Sequence, residues 1–147
     1  RDVYSDRYET PPDYGDVVEA VRSHLERRAA AAVAAGVEAD LVAVDPGLGF
    51  GKSVEQNLAL IRGLPRLVGD GRPVLVGASR KSFLGAIAET PDPRARDLES
   101  CVAAVEAWGR GAAILRVHRP AEHRRALRIA SAIRSRGVDP FGGTVAP

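Results

Sequence analysis

Between Asp16 and Ala35 the apolar residues Val17, Val18, Val21, Leu25, Ala29, Ala32 and Val33 return every three or four positions, and Gly36 follows as a stop. That spacing gathers them on one face of a helix. The next apolar run, Leu41 to Val44, is short and unbroken and ends at Asp45-Pro46-Gly47, the pattern of a strand buried in a parallel sheet. A glycine-rich loop leads to Ser53, which forms a capping box with Gln56 and opens a helix carrying Val54, Leu58 and Ile61 inward until Pro65 breaks it. The unit then repeats. Pro73 to Gly77 reads as a second buried strand, and Ser79-Arg80-Lys81-Ser82 joins it to a helix beginning near Ser82. A longer helix is predicted from about Asp97 to Gly109 with Leu98, Val102 and Val105 inward. Ala112 to Val117 makes the third strand, and Pro120 opens a last helix whose Leu127, Ala130 and Ile133 share a side.

Strands that alternate with helices in this order define an α/β chain of parallel β/α units. Three parallel strands cannot close into a barrel, and alone they leave open sheet edges. A doubly wound sheet and the second half of a (β/α)8 barrel, which normally takes about 250 residues, both satisfy the pattern.

Composition narrows the function classes more than the fold. The 147 residues hold 21 Lys+Arg against 19 Asp+Glu, which excludes a strongly basic nucleic-acid binder and an acidic tail protein. The arginines of the last segment (Arg119, Arg124, Arg125, Arg128, Arg134, Arg136) lack interleaved aromatics, so we read them as a solvated face and expect no nucleic-acid partner. No apolar run reaches the roughly 20 residues of a membrane span, so a cytoplasmic protein without a membrane partner is expected. Cys101, the single cysteine, excludes a disulfide framework and reads as a small buried hydrophobe. His24 and His123 stand among polar neighbours and read as solvated. The chain contains no Met and starts in polar sequence, so residues upstream of Arg1 are expected.

In parallel α/β proteins the chemistry sits just past the carboxyl ends of the strands, which makes three short segments informative. After the first strand, Asp45 precedes Gly47, Gly49 and Gly51, with Phe50 and Lys52 among them. Glycines let the backbone approach a flat or anionic ligand, and Phe50 could stack on a ring; alternatively Asp45 caps its own tight turn. The segment is not a phosphate-binding Walker loop, because Pro46 stands where that loop needs its first glycine. After the second strand, Arg80 and Lys81 stand beside the free N–H groups of a helix start, which suits a carboxylate or phosphate; the alternative is two solvated cations. Lys52 and Lys81 are the only lysines among the basic residues, and both fall in these loops. At the third strand end, Arg116 and His118 are two apart and share a face, where an arginine calls for an anion or an internal carboxylate.

Together these strand ends closely resemble dihydropteroate synthase. The resemblance rests on Asp45-Pro-Gly-Leu-Gly-Phe-Gly-Lys52, on Pro73-Val-Leu-Val-Gly-Ala-Ser-Arg-Lys-Ser-Phe-Leu-Gly85 and on Arg116-Val-His118, in that order, and it covers about Tyr14 to Gly137. The pterin-binding module of methyltetrahydrofolate methyltransferases shares the barrel and a strand-end Asp but not the Ser-Arg-Lys-Ser segment. What the resemblance implies is a (β/α)8 barrel of which residues 1–147 form the C-terminal part, about three strands with their helices, with a loop over 1–15 and a flexible tail over 141–147. It implies condensation of a pterin methyl diphosphate with 4-aminobenzoate, in folate biosynthesis, at a site that sulfonamides occupy. By the same resemblance Asp45 would bind the pterin ring, Lys81 would contact both pterin and aminobenzoate, Ser82 would hold the aminobenzoate carboxylate with Phe50 on its ring, and Arg116 and His118 would bind the departing diphosphate. Asp45 and Lys81 are thus the implied catalytic pair. Mg2+ would arrive with the diphosphate, its protein ligand lying upstream of this chain. A homodimer through the late helices is implied as possible, while an inactive half-barrel remnant remains the alternative for the chain alone. One departure stands at His118-Arg119-Pro120, where the family usually has an acid after the His; losing that N-cap should cost about 1 kcal/mol.

Overall fold

In the computed structural model, residues 12–69 and 71–134 are described. The expected loop over 1–15 therefore lies largely outside them, as do the tail over 141–147 and Arg136. The first helix, α1 (Val17–Ala34), starts where the carboxylate of Asp16 accepts the backbone N–H groups of Val18 and Glu19. It ends before Gly36, whose φ of 99° is open to glycine at little cost. Helix α2 (Val54–Arg62) opens on the expected capping box, in which Ser53 accepts from the Gln56 N–H and the Gln56 side chain accepts from the Ser53 N–H. Ser53→Ala removes one side of that exchange, and a fall of about 1 kcal/mol in unfolding free energy by denaturant melt is the expected result.

Helix α2 ends at Arg62, just ahead of Pro65, with Gly63 as its C-cap. Pro65 sits in the first turn of a short second helix, α3 (Leu64–Val68), where a missing N–H costs nothing. The other helices are α4 (Ser82–Ile87), α5 (Asp97–Gly109) and α6 (Pro120–Arg134).

The strands are shorter than predicted. β1 (Leu75–Val76) and β2 (Ile114–Leu115) pair in parallel, Leu75 opposite Ile114 and Val76 opposite Leu115. The expected strand at Leu41 to Val44 contributes one parallel bridge, Val44 to Val74, while residues 39–41 form a 3-10 turn and Leu41 is exposed. Beyond Val44 no strand lies against this edge among the described residues, so the apolar run has nothing to bury against. The spatial order is thus Val44, β1, β2, all parallel, as the β/α reading requires.

The core lies between this small sheet and the helices. Val17, Val18, Val21 and Leu25 of α1 meet Leu60, Ile61, Leu64 and Leu67, with Val74 and Val76 beneath. Gly63 lets α1 come this close, since a Cβ there would stand 2.6 Å from a Val18 methyl.

Two faces differ from expectation. On α5 the buried residues are Ser100, Ala103, Ala104 and Ala107, while Leu98 is 74% exposed and Val102 is exposed as well. Small side chains let this helix pack closely, so the larger apolar residues turn outward. On α6 the inward row is His123, Leu127 and Ser131, and Ile133 is 80% exposed. His123 is accordingly buried rather than solvated, its Nδ1 lying 2.8 Å from the Arg119 carbonyl oxygen. His24 is half-buried, and burial followed by the charges of Arg27 and Arg28 holds its pKa below the usual value. Cys101 is half-buried, not buried, and partial burial raises its thiol pKa.

Candidate active site

The three strand ends meet on one side of the sheet. Past Val44 the chain turns sharply, with φ of 67° at Gly47, 80° at Gly49 and 59° at Gly51, all in the left-handed region where glycine is at ease. Asp45 Oδ1 accepts the Gly47 N–H at 2.8 Å, so the carboxylate does cap its own turn. Its other oxygen, Oδ2, lies 3.6 Å from Arg116 Nη2. Both bland alternatives for these residues are therefore real, and they coexist with the site, because one carboxylate links the first and third strand ends.

The glycine loop is clamped by four side chains. Leu48 is buried in the core. Asn57, 1% exposed on α2, accepts the Gly49 N–H at 2.7 Å and donates to the carbonyls of Lys52 and Ser53. Tyr14 donates its hydroxyl to the Gly51 carbonyl at 3.0 Å. Lys52 turns back over the loop, its Nζ donating to the carbonyls of Gly47 at 3.0 Å and Phe50 at 3.1 Å. Burial pulls the Lys52 pKa down to about 8, with Asp45 opposing and the charge of Lys81 adding to the fall. The buried Asn57 escaped the sequence reading although Asn57, Leu60, Ile61 and Leu64 form the true inward row of this segment. A polar residue inside such a row was the available signal.

Lys81 crosses from the second strand end to the first. Its stem runs over Gly49, where a Cβ would stand 2.7 Å from Lys81 Cδ, and its ammonium sits 3.7 Å from the centre of the Phe50 ring. A cation at that distance is attracted by the ring face. Ser82, the first residue of α4, is exposed. Arg80 does not join Lys81 as a free cation; its guanidinium is tied to Asp97 of α5 through Nε at 2.8 Å and Nη2 at 3.1 Å.

At the third strand end Arg116 lies across Gly77, where a Cβ would be 2.6 Å from Nη2. The backbone N–H of His118 donates to Ser79 Oγ at 3.3 Å, and His118 Nδ1 lies 3.0 Å from the same oxygen. Gly77, Ser79, Lys81, Arg116, Val117 and His118 thereby line a hollow of about 230 Å³ with cationic and hydrogen-bonding walls. Arg119 stays out of it, folding back onto Glu122 in an exposed ion pair. Among the described residues no three His, Cys, Asp or Glu side chains cluster to hold a metal ion.

Parallel β/α units whose second and third strand ends line a cationic hollow suit a portion of a (β/α)8 barrel. Residues 3–118 match the pterin binding enzyme family, and the chain belongs to that family. A dihydropteroate synthase from Neisseria meningitidis serogroup C is 44% identical over 108 residues, which are 73% of this chain and 38% of that protein. Dihydropteroate synthase from Xanthomonas albilineans in complex with 7,8-dihydropteroate superposes with a TM-score of 0.83 at 40% identity, covering 87% of this chain and 49% of that one. The Thermus thermophilus dihydropteroate synthase in complex with 6HMPPP gives 0.79 at 44% identity, covering 84% and 48%, and that synthase is also known in complex with 4-aminobenzoate. The chain thus spans less than half the length of these relatives.

Proposed function

We propose that this chain forms the C-terminal part of a single dihydropteroate synthase barrel, supplying the aminobenzoate and diphosphate sides of the site. The observation that carries the reading is the path of Lys81, which spans from one strand end across Gly49 to Phe50 beside the hollow walled by Arg116 and His118. Asp45, fixed by the Gly47 N–H, accepts hydrogen bonds from the N–H groups of the pterin ring. Arg116 reaches both Asp45 and the hollow, so it ties the pterin to the diphosphate that leaves from it. With His118 it stabilises the charge that develops on the departing diphosphate. As the C–O bond to the diphosphate breaks, the pterin methylene carbon becomes cationic; the aminobenzoate nitrogen donates its electron pair to it and then loses a proton. Ser82 holds the aminobenzoate carboxylate, Phe50 packs on its ring and Lys81 lies between the two substrates. Mg2+ enters as part of the diphosphate substrate, and the protein works in the cytoplasm. The exposed Leu98, Val102, Ile129 and Ile133 of α5 and α6 support a homodimer through the late helices.

Calorimetric titration of the protein with the pterin diphosphate in the presence of Mg2+, followed by 4-aminobenzoate, tests the reading. Binding of both with release of diphosphate is expected. Absence of heat with either substrate would mean an inactive half-barrel remnant, and binding of methyltetrahydrofolate instead would mean the methyltransferase module.

A further inference from the structure

Arg80 is one of two non-glycine residues among those described that hold a positive φ, at 60°. A side chain in the left-handed region is unfavourable and persists only where its surroundings over-determine it. The backbone N–H, the carbonyl and two guanidinium nitrogens of Arg80 are held by the segment around the start of α5. Its backbone N–H donates to Ser100 Oγ at 2.9 Å, and that hydroxyl donates in turn to the Arg96 carbonyl. Its guanidinium makes the two-pronged pair with Asp97. Its carbonyl accepts from Arg96 Nη1 at 3.1 Å. Arg96 is 7% exposed and is fixed from its other side by the carbonyls of Thr90 and Pro91. Gly85 makes room for that guanidinium, since any Cβ there would collide with it.

None of these four side chains lines the hollow at the strand ends. What they hold is the residue next to Lys81. Past the left-handed turn Lys81 is extended, with φ −66° and ψ 149°, and this launches its stem over Gly49 onto Phe50. We infer that Asp97, Ser100 and Arg96, acting through Arg80, form a positioning device that holds the backbone turn and so sets Lys81 against Phe50. Its consequence for turnover rests on the synthase reading, but its structural content does not. An ammonium over a ring places the adjacent methylene protons in the shielding cone of the aromatic face, so the Lys81 signal reports the geometry directly.

The test uses the protein expressed from its own gene with isotope-labelled lysine, Lys81 being assigned through Lys81→Arg. Upfield-shifted Lys81 methylene protons are expected in the unmutated protein and ordinary positions in Asp97→Asn with Ser100→Ala, while circular dichroism shows a folded chain. Unmoved, still-shifted signals in the folded variant would overturn the inference. Should that variant fail to fold, Arg80→Gly carries the decision, because glycine takes the positive φ without a tether. In that background Asp97→Asn should change the Lys81 signal no further, and a second displacement would show that Asp97 acts by another route. In the synthase assay Asp97→Asn with Ser100→Ala should lose roughly 10- to 100-fold in kcat/KM for 4-aminobenzoate, the scale of a small misplacement at a reacting site. Lack of turnover in the unmutated protein would sink the synthase reading and leave the resonance test to decide this one.

Discussion

Lys81→Ala is expected to lower kcat/KM for 4-aminobenzoate by about 10²- to 10³-fold, the scale of removing one charge-stabilising donor from an enzyme site. The substitution removes the cation between the two substrate positions and uncovers the Phe50 ring. It should leave the fold intact, because Lys81 is half-buried and contributes no large apolar side chain to the core. A second readout makes the result specific. The charge of Lys81 is one of the causes that hold the Lys52 pKa down at about 8. Removing it takes away a like charge, so the Lys52 ammonium becomes easier to protonate and its titration midpoint must rise. Loss of turnover with a rise at Lys52 would confirm that both lysines share one electrostatic site. A Lys52 midpoint that does not move would separate them, and turnover that survives the substitution would remove Lys81 from the chemistry.

The two lysines illustrate what the sequence made legible. Their restriction to strand-end loops in a chain otherwise rich in arginine is legible in the sequence, and the structure brings Lys52 within electrostatic reach of Lys81. The glycine loop, the capping box at Ser53 and the shared face of Arg116 and His118 were legible for the same reason, since each depends on neighbours within a few residues. What escaped depends on distant partners. Asn57 was invisible as a loop anchor because its partner Gly49 lies eight residues away across a turn. Arg80 reads as a free cation beside Lys81 until Asp97 and Ser100 of α5 reach it. On α5 and α6 the apolar spacing points large residues inward, yet where these helices pack tightly small residues such as Ser100, Ala103 and Ala107 on α5 and Ser131 on α6 are buried instead. The expected strand at Leu41 to Val44 shrank to one bridge because strand length depends on a neighbour along that edge, which no local pattern encodes.

Gly49 and Gly71 offer a matched pair in which local strain and close approach can be told apart. Their φ angles are nearly equal, 80° and 78°, so an alanine at either position is forced into the left-handed region at a cost of about 1–2 kcal/mol. Their surroundings differ. A Cβ at Gly71 meets nothing within 4 Å, whereas one at Gly49 stands 2.7 Å from Cδ, 3.3 Å from Cε and 3.4 Å from Cγ of Lys81. Those atoms belong to a flexible stem, so the collision is relieved by moving the lysine rather than by unfolding the loop. Gly49→Ala and Gly71→Ala should therefore lose similar stability, about 1–2 kcal/mol each by denaturant melts. Only Gly49→Ala should lose catalysis, by about 10²-fold in kcat/KM, because it pushes the ammonium off Phe50. Equal stability losses with turnover retained in both would show that the path of Lys81 over Gly49 is not needed for the reaction. A much larger stability loss at Gly49 would mean that the loop, held by Asn57 and Lys52, is too rigid to let the lysine move aside.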